Sequence, residues 1–213
     1  MDLKNKVTTI DDMRGAMIFE FFSPGIPIIL KNSGCEFIIF DMEHGGLSLE
    51  QFKTLALISK ANKIAPLIRI PELSYNYVAR ALDLGAAGIM TPMVNTPDDA
   101  IKIVQSSKYP PQGKRGAAFG FAHDNYINPD PLSYIEKANK FLVNIIQIES
   151  KKALDNVKEI ASIDGVDCLW VGHFDLTNFL GIPGDFNSNI YLNAIKEIVF
   201  AAETYKKSLG IMV

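Results

Sequence analysis

Short, mostly apolar runs that end in polar or charged residues recur along the chain. The four clearest are residues 37–40 before Asp41, 66–68 before Arg69, 141–146 before Gln147 and Glu149, and 168–171 before Gly172. β-Branched and aromatic runs of this length are typical of strands buried on both faces of a parallel sheet. A charge inside such a sheet would be very costly, so the polar residues are expected where the strands emerge. Because parallel α/β barrels carry their chemistry at that carboxyl-terminal rim, the pattern predicts a site there.

Strand-like and helix-like segments alternate along the whole chain. Strands are predicted over residues 16–22, 37–41, 66–70, 88–92, 142–148 and 168–171, and a seventh begins at residue 209. Helices are predicted over residues 27–32, 48–62, 75–84, 97–107, 131–140, 151–160 and 190–207. Ser48 and Gln51 have the spacing of a capping box. Residues 109–130 show no clear period, and we expect them to form a long loop.

This alternation predicts an α/β fold with a parallel sheet, either a barrel or a doubly wound sheet. No linker or change of composition interrupts the chain, so one domain is expected over residues 1–213. An eight-stranded barrel would need a further helix, strand and helix after Val213. The fold expected is therefore a TIM (β/α)8-type barrel that is truncated after the start of its seventh strand, with exposed sheet edges.

The composition is that of a soluble enzyme rather than a nucleic-acid or membrane protein. The chain has 213 residues, is 48% hydrophobic and carries a net charge of −3. It shows neither a basic footprint for nucleic acid nor an apolar run of the roughly 20 residues that a membrane helix needs. Cys35 and Cys168 are far apart without CxxC spacing, which favours reduced thiols, and the amino terminus lacks a signal-peptide core. A cytoplasmic location is predicted.

Seven ordered motifs carry a resemblance to a known family. They are FDMEHG at 40–45, PLIRIP at 66–71, LDLGA at 82–86, PMVNT at 92–96, YPPQGKRG at 109–116, QIE at 147–149 and VGHFDL at 171–176. In order and spacing they resemble the HpcH/HpaI aldolase family over nearly the whole chain. The resemblance implies a class II lyase that depends on a divalent metal ion. Such enzymes cleave a 4-hydroxy-2-oxo acid reversibly into pyruvate and an aldehyde.

Glu149 and Asp175 are the candidate metal ligands, since each lies just past a predicted strand end. Two carboxylates, with a chelating substrate and water, suit a hard octahedral ion such as Mg²⁺ or Mn²⁺, and Co²⁺ is a further candidate. Spacing alone allows another interpretation, in which both acids cap the helices that follow. The resemblance favours metal ligation.

Arg69 directly follows a buried-strand run, where its planar guanidinium would stabilise the enolate that retro-aldol cleavage leaves on the keto oxygen. The other interpretation is a salt bridge to Asp41 or Glu43, and the two roles are compatible. His44 is the natural proton carrier. By family resemblance His44 acts with Asp41, which would orient its ring, while Glu43 supports the metal site. Asp83 belongs by the same resemblance to the active-site network, either of its own chain or of a neighbouring subunit.

The resemblance also implies a substrate-binding set. It consists of Gln147, Gly172, His173 and Phe174, the last three expected to form a turn whose backbone amides hold the substrate carboxylate. The family more commonly has Pro-Ala where this chain has His173-Phe174, so the pocket wall is expected to differ. A larger residue at position 174 is expected to narrow the pyruvate side of the pocket. His173 either adds a polar contact or is structural, and both interpretations stay open.

Three alternatives to the aldolase remain open. A CoA-thioester lyase of the citrate-lyase-β type would need a surface for the CoA nucleotide. A metal-dependent isomerase would exchange substrate protons without releasing an aldehyde, and a non-catalytic binding protein would turn nothing over. The partners predicted are a small 2-oxo acid and an aldehyde, with neither nucleic acid nor membrane. Family resemblance further implies a homo-oligomer, a hexamer or a trimer.

Overall fold

Seven parallel strands form one curled sheet in the order in which they occur in the chain, as a computed structural model shows for residues 3–213. The strands are β1 (Gly15–Ile18), β2 (Phe37–Asp41), β3 (Ala65–Arg69), β4 (Gly88–Thr91), β5 (Val143–Ile148), β6 (Cys168–Val171) and β7 (Ser208–Ile211). Within the described residues, β1 and β7 each pair with a single neighbour. The expected TIM-like α/β barrel architecture is confirmed, with seven parallel strands in residues 3–213.

Ten α-helices in the described residues surround the sheet. They are α1 (Leu3–Thr9), α2 (Ile26–Asn32), α3 (Leu49–Ala61), α4 (Tyr75–Asp83), α5 (Pro97–Ser107), α6 (Pro131–Phe141), α7 (Lys151–Asp155), α8 (Val157–Ser162), α9 (His173–Phe179) and α10 (Asn189–Tyr205). The expected capping box is present, because Ser48 accepts a hydrogen bond from the Gln51 backbone and the Gln51 side chain bonds back. None of the helices between residues 3 and 213 has the length and apolar character that a bilayer crossing requires.

Two predictions of helical structure were wrong. The segment from Lys151 to Ser162 is two helices separated at Asn156 rather than one. Helices α1 and α9 were missed, since both have only seven residues and neither shows an apolar repeat longer than one turn. The long loop over residues 109–130 is confirmed, apart from a 3-10 turn at Ala122–Asp124.

Apolar side chains pack on both faces of the sheet. On the inner face, Ile39, Leu67, Met90, Val143, Ile145 and Cys168 form one buried cluster. Helix α1 covers this cluster with Leu3 and Val7. On the outer face, the alternate residues of the strands pack against α3 and α4 on one side and against α5, α8 and α10 on the other. Burial on both faces explains why the strands read as nearly continuous apolar runs.

The two-residue period of a strand determines which polar residues reach the inside of the rim. Ile39, Leu67 and Ile145 face inward, and so do the residues that follow them at steps of two. Those residues are Asp41 on β2, Arg69 on β3, and Gln147 and Glu149 at the end of β5. The parallel register of β2 and β3 sets Asp41 directly beside Arg69.

Candidate active site at the carboxyl-terminal rim

Asp41 is fully buried at the end of β2 and anchors the loop that follows. One carboxylate oxygen accepts hydrogen bonds from Arg69 Nε at 2.5 Å and from the Glu43 backbone at 3.2 Å. The other accepts from the backbone amide of His44 at 2.9 Å. Burial acts to raise the pKa of Asp41, but the Arg69 guanidinium and the two amides outweigh it and lower that pKa. Among the described residues no hydrogen bond joins Asp41 to the His44 ring, and the bonds that Asp41 accepts come from Arg69 and from two backbone amides.

Arg69 is 5% exposed and is held by two carboxylates. Besides the bond from Nε to Asp41, its Nη1 forms an ion pair with Glu43 Oε2 at 3.0 Å. The predicted salt bridge is therefore confirmed for both acids. Within the described residues the buried Nη2 has no hydrogen-bond partner, so one donor of the guanidinium remains available. The guanidinium carbon lies 5.7 Å from the centre of the Phe19 ring.

Glu43, rather than Asp41, lies near the His44 ring. His44 Nε2 is 3.8 Å from Glu43 Oε2, and the His44 side chain is 60% exposed. The pKa of Glu43 is raised, mainly by burial and further by the negative charges of Asp41 and Asp175. Arg69 and His44 act to lower it but are outweighed. An exposed imidazole beside a carboxylate of raised pKa is suited to proton transfer.

Glu149 is 1% exposed at the end of β5. Its Oε1 accepts a hydrogen bond from the Met93 backbone at 2.5 Å, and its Oε2 accepts one from Gln147 Nε2. Burial first, and then the negative charges of Glu43 and Asp175, raise the pKa of Glu149 to about 7. Helix α7 is capped by Ser150, whose side chain accepts from the Ala153 backbone. Glu149 is therefore not the cap of that helix, which removes one alternative to ligation.

Gly172 lies against Glu149 and brings the ends of β5 and β6 together. A Cβ atom at Gly172 would lie 2.5 Å from Glu149 Oε2 and 2.8 Å from Gln147 Nε2. The Gly172 amide donates to the Ile148 carbonyl at 3.1 Å and so cannot hold a substrate, contrary to expectation. His173 and Phe174 are the first residues of α9 rather than part of a turn.

Asp175 lies in the first turn of α9 and is partly exposed. Among residues 3–213 its carboxylate takes part in no hydrogen bond and no ion pair. Its charge raises the pKa of both Glu43 and Glu149, which shows that the three carboxylates are close enough to repel one another. A concentration of negative charge at a partly buried rim is relieved by binding a cation.

His173 and Phe174 belong to an aromatic cluster, which we define as His173, Phe174, Phe186 and Tyr191. The His173 ring lies 4.6 Å from that of Phe174 and 5.2 Å from that of Phe186. Burial lowers the pKa of His173, and its Nδ1 is buried without a partner in the described residues. His173 therefore packs as a neutral ring.

Asp83 does not join the other predicted site residues within this chain. It ends α4, which runs back from the rim, and its carboxylate accepts a hydrogen bond from Arg115 Nη2 at 2.6 Å. The Arg115 guanidinium in turn stacks on Tyr109 at 4.5 Å. The backbone carbonyl of Asp83 lies 3.2 Å from His123 Nδ1. These four residues form a separate cluster at the amino-terminal side of the sheet.

The rim residues fit a hard divalent cation. Glu149 and Asp175 offer carboxylate oxygens, the donors that Mg²⁺ and Mn²⁺ prefer. One further buried oxygen, Gln147 Oε1, lacks a hydrogen-bond partner in the described residues, whereas Glu43 Oε2 is ion-paired with Arg69. Between residues 3 and 213 no three or more His, Cys, Asp or Glu side chains are grouped to hold a metal ion. An ion at this rim would thus take two carboxylates from the chain and its other ligands from substrate and water.

Two rim residues were not predicted from the sequence. Met93 donates its backbone amide to Glu149, and its left-handed φ of 53° orients that amide toward the carboxylate. The PMVNT motif marked the segment, but the left-handed backbone conformation had no signal of its own. Phe19, over the Arg69 guanidinium, lay inside a segment predicted as strand, whereas β1 ends at Ile18.

Comparison with known proteins identifies the family and the fold. Residues 21–211 match the model of the HpcH/HpaI aldolase/citrate lyase family. The 5-keto-4-deoxy-D-glucarate aldolase of Shigella boydii is 32% identical over 184 residues, which cover 86% of this chain and 71% of the relative. The 4-hydroxy-4-methyl-2-oxoglutarate aldolase cghB of Chaetomium globosum is 30% identical over 89% of this chain and 71% of the relative. An HpcH/HpaI aldolase structure from Desulfitobacterium hafniense superposes with a TM-score of 0.95 at 28% identity, covering 100% of this chain and 82% of that one.

Proposed function

Because the chain belongs to the HpcH/HpaI aldolase/citrate lyase family of carbon–carbon lyases, we propose that it is a divalent-metal-dependent aldolase. Its substrate is a 4-hydroxy-2-oxo acid, which it cleaves reversibly to pyruvate and an aldehyde. The observation that supports this best is the meeting of Glu149, Asp175 and Glu43 with one buried arginine at a single rim. Mg²⁺, Mn²⁺ or Co²⁺, held by Glu149 and Asp175, would act there as a Lewis acid on the 2-oxo acid.

Arg69 stabilises the charge that develops on the keto oxygen during cleavage. Asp41 and Glu43 hold its Nε and Nη1, so the guanidinium cannot rotate, while the buried Nη2 has no partner in the part of the chain that the structure describes. A donor that is fixed before the reaction need not reorganise when charge appears. One such donor typically lowers the activation free energy by about 3 kcal/mol.

His44 takes the proton of the C4 hydroxyl group and returns it in the reverse direction. Its ring is exposed to the rim, and Glu43 at 3.8 Å is the carboxylate that orients it. Asp41 acts indirectly, because it fixes both the loop that carries His44 and the guanidinium of Arg69.

The substrate carboxylate binds at the start of α9. The Gly172 amide is already used within the sheet, so the amides of His173 and Phe174 are the donors left for it. Gln147 bonds Glu149 through Nε2, and its buried Oε1 has no partner within residues 3–213, which supports a role beside both the carboxylate ligand and the substrate. Its role is to hold both in position.

Asp83 acts between subunits in this proposal. Since it lies away from the rim of its own chain, it reaches a neighbouring rim only if the protein assembles as a homo-oligomer, a trimer or a hexamer. Light scattering of the purified protein would measure the assembly directly.

The test is pyruvate release from a panel of 4-hydroxy-2-oxo acids, followed with lactate dehydrogenase. The protein is assayed after EDTA treatment and again after Mg²⁺, Mn²⁺ or Co²⁺ is added. We expect release only with metal and loss of the metal response in Glu149→Gln, but not in Glu197→Gln on the exposed face of α10. Release that EDTA leaves unchanged would refute metal dependence. Cleavage of malyl-CoA or citramalyl-CoA alone would indicate the CoA-thioester lyase, and proton exchange without an aldehyde would indicate an isomerase.

A further inference from the structure

We infer that the amino-terminal side of the sheet holds a second binding site, which takes a small hydroxy acid with an apolar carbon skeleton. The site is a cavity of about 820 Å³ beside the cluster that contains Asp83, Arg115 and His123. This volume lies in the range that small-molecule sites occupy in proteins. Because the cavity is formed where β3, β4 and β5 begin, it is separate from the rim and does not depend on the proposed aldolase function.

Apolar side chains form the inside of the cavity. Ile64, Leu82 and Leu142 line it and are all buried, and Leu3 of α1 lines it as well. A ligand that enters the cavity would place its carbon skeleton against these side chains. Such burial is favourable roughly in proportion to the apolar area that is removed from water.

Arg115 is the first polar residue of the cavity with an unused hydrogen-bonding group. The residue is 5% exposed and lines the cavity. Its Nη2 donates to Asp83 Oδ1 at 2.6 Å and its guanidinium stacks on Tyr109 at 4.5 Å, so the group is held in position. The buried Nε has no hydrogen-bond partner in residues 3–213. Because a guanidinium N–H only donates, the missing partner is an acceptor, and an anionic oxygen is the strongest one.

His123 supplies an unused acceptor. Its Nδ1 lies 3.2 Å from the backbone carbonyl of Asp83, and since a carbonyl only accepts, Nδ1 carries the ring hydrogen. The lone pair of the neutral ring then lies on Nε2, which is buried and has no partner among the described residues. The ring packs against Tyr134 at 5.3 Å, and both residues line the cavity. A hydroxyl group is the donor that satisfies such an acceptor.

Asp83 brings the two unused groups together. Its carboxylate holds Arg115 and its backbone carbonyl holds His123, so one small molecule can reach both. A carboxylate beside Arg115 and a hydroxyl group beside His123, carried on one carbon skeleton, define a hydroxy acid.

The charges around the cavity favour an anion. Lys60, Lys63 and Lys137 line it, and none of them forms an ion pair within residues 3–213. Asp124 also lines it, but both of its carboxylate oxygens already accept hydrogen bonds from backbone amides. A bound carboxylate would therefore meet an excess of positive charge.

The first experiment measures binding to the purified protein by isothermal titration calorimetry in EDTA, which keeps the rim free of metal. The probes are 3-hydroxy-3-phenylpropanoate, 3-phenylpropanoate, which lacks the hydroxyl group, and 1-phenylpropane-1,3-diol, which lacks the carboxylate. We expect the hydroxy acid to bind with a Kd below about 1 mM and the other two to bind at least about tenfold more weakly, because each leaves one buried polar group unpaired. Absence of binding by every probe up to about 10 mM, or equal affinity for the two acids, would overturn the inference.

The second experiment locates the site with three variants. His123→Phe keeps a ring against Tyr134 but removes Nε2, so the two acids should bind to it equally. Ala138→Leu adds carbon to the cavity wall on α6 and should weaken binding of the hydroxy acid by about tenfold. This variant leaves both unpartnered groups in place, so it decides the question even if His123→Phe fails to fold. Arg80→Lys, on the exposed face of α4, is the control and should bind as wild type does.

Two results would assign the probe or the cavity differently. Loss of binding in Glu149→Gln, with binding retained in Ala138→Leu, would place the probe at the rim and overturn the inference. Binding only after the protein is dissociated into monomers would show that a second copy of the chain covers the cavity, and would overturn it as well.

Discussion

Glu149→Gln should stabilise the metal-free protein at alkaline pH. The wild-type carboxylate is 1% exposed, and burial together with Glu43 and Asp175 raises its pKa to about 7 from an ordinary value of 4.5. A glutamine keeps the oxygen that accepts from the Met93 amide. Its amide nitrogen then faces Gln147, whose side chain can turn to present the unpartnered Oε1. The substitution thus removes a buried charge while the hydrogen bonds are kept.

The direction in which the free energy of unfolding changes with pH follows from proton binding at Glu149. Between pH 4.5 and pH 7 the folded state binds a proton at Glu149 that the unfolded state has released, so the free energy of unfolding falls as pH rises through this range. At about 1.4 kcal/mol for each pKa unit, the full effect is about 3 kcal/mol. Glu149→Gln does not titrate, so its advantage over wild type should be small at pH 5 and reach about 3 kcal/mol at pH 8.

Urea denaturation in EDTA at pH 5, 6, 7 and 8 measures this difference directly. Glu197→Gln, on the exposed face of α10, is the matched control and should change the free energy of unfolding by less than about 0.5 kcal/mol at every pH. The reasoning is refuted if the advantage of Glu149→Gln is the same at pH 5 and pH 8, or if wild type is the more stable at pH 8. Either result would mean that the folded state does not disfavour the charged form of the Glu149 carboxylate.

Three further substitutions test other parts of the site and the fold. Arg69→Ala should abolish pyruvate release, while calorimetry should show metal binding nearly intact. It should also lower the free energy of unfolding by about 3 kcal/mol, because Asp41 is left buried without its cation. Retained turnover would exclude the enolate role. Gly172→Ala should weaken metal binding, since its Cβ would lie 2.5 Å from Glu149 Oε2, and unchanged metal affinity would show that the strand ends adjust. Ser48→Ala should lower the free energy of unfolding by about 1 kcal/mol with no effect on activity, and a loss below 0.3 kcal/mol would mean that the capping box contributes little.

Much of the secondary structure could be predicted because local signals determine it. The bounds of β2 and β6 match the prediction, as do those of α5, where Pro97 opens the helix. The capping box at Ser48 follows from two residues three positions apart. Helices α1 and α9 escaped prediction because each is short and is formed mainly through packing on the rest of the molecule.

The rim of the site was also predictable in outline. Charged residues cannot lie within a doubly covered parallel sheet, so Asp41, Arg69 and Glu149 had to lie at strand ends. The partners of these residues were not predictable. The Asp41 carboxylate binds the His44 backbone rather than its ring, and the Gly172 amide is used by the sheet. These hydrogen-bond partners depend on which donor lies nearest to each oxygen in the folded chain.

The sequence by itself determined the βα alternation, the parallel sheet, the family and the strand ends at which polar residues gather, since these follow from hydrophobic period and from motifs a few residues long. Only the tertiary structure decided that Glu43 is the carboxylate beside His44, that Met93 bonds Glu149, and that Asp83 lies apart with Arg115. The physical reason for the last two is distance along the chain, since Met93 and Glu149 are 56 positions apart and Asp83 and Arg115 are 32 apart. The contact between the neighbours Glu43 and His44 depends instead on the backbone conformation of their loop. These contacts depend on strand register, backbone torsion and the direction in which each helix returns, none of which a local pattern records.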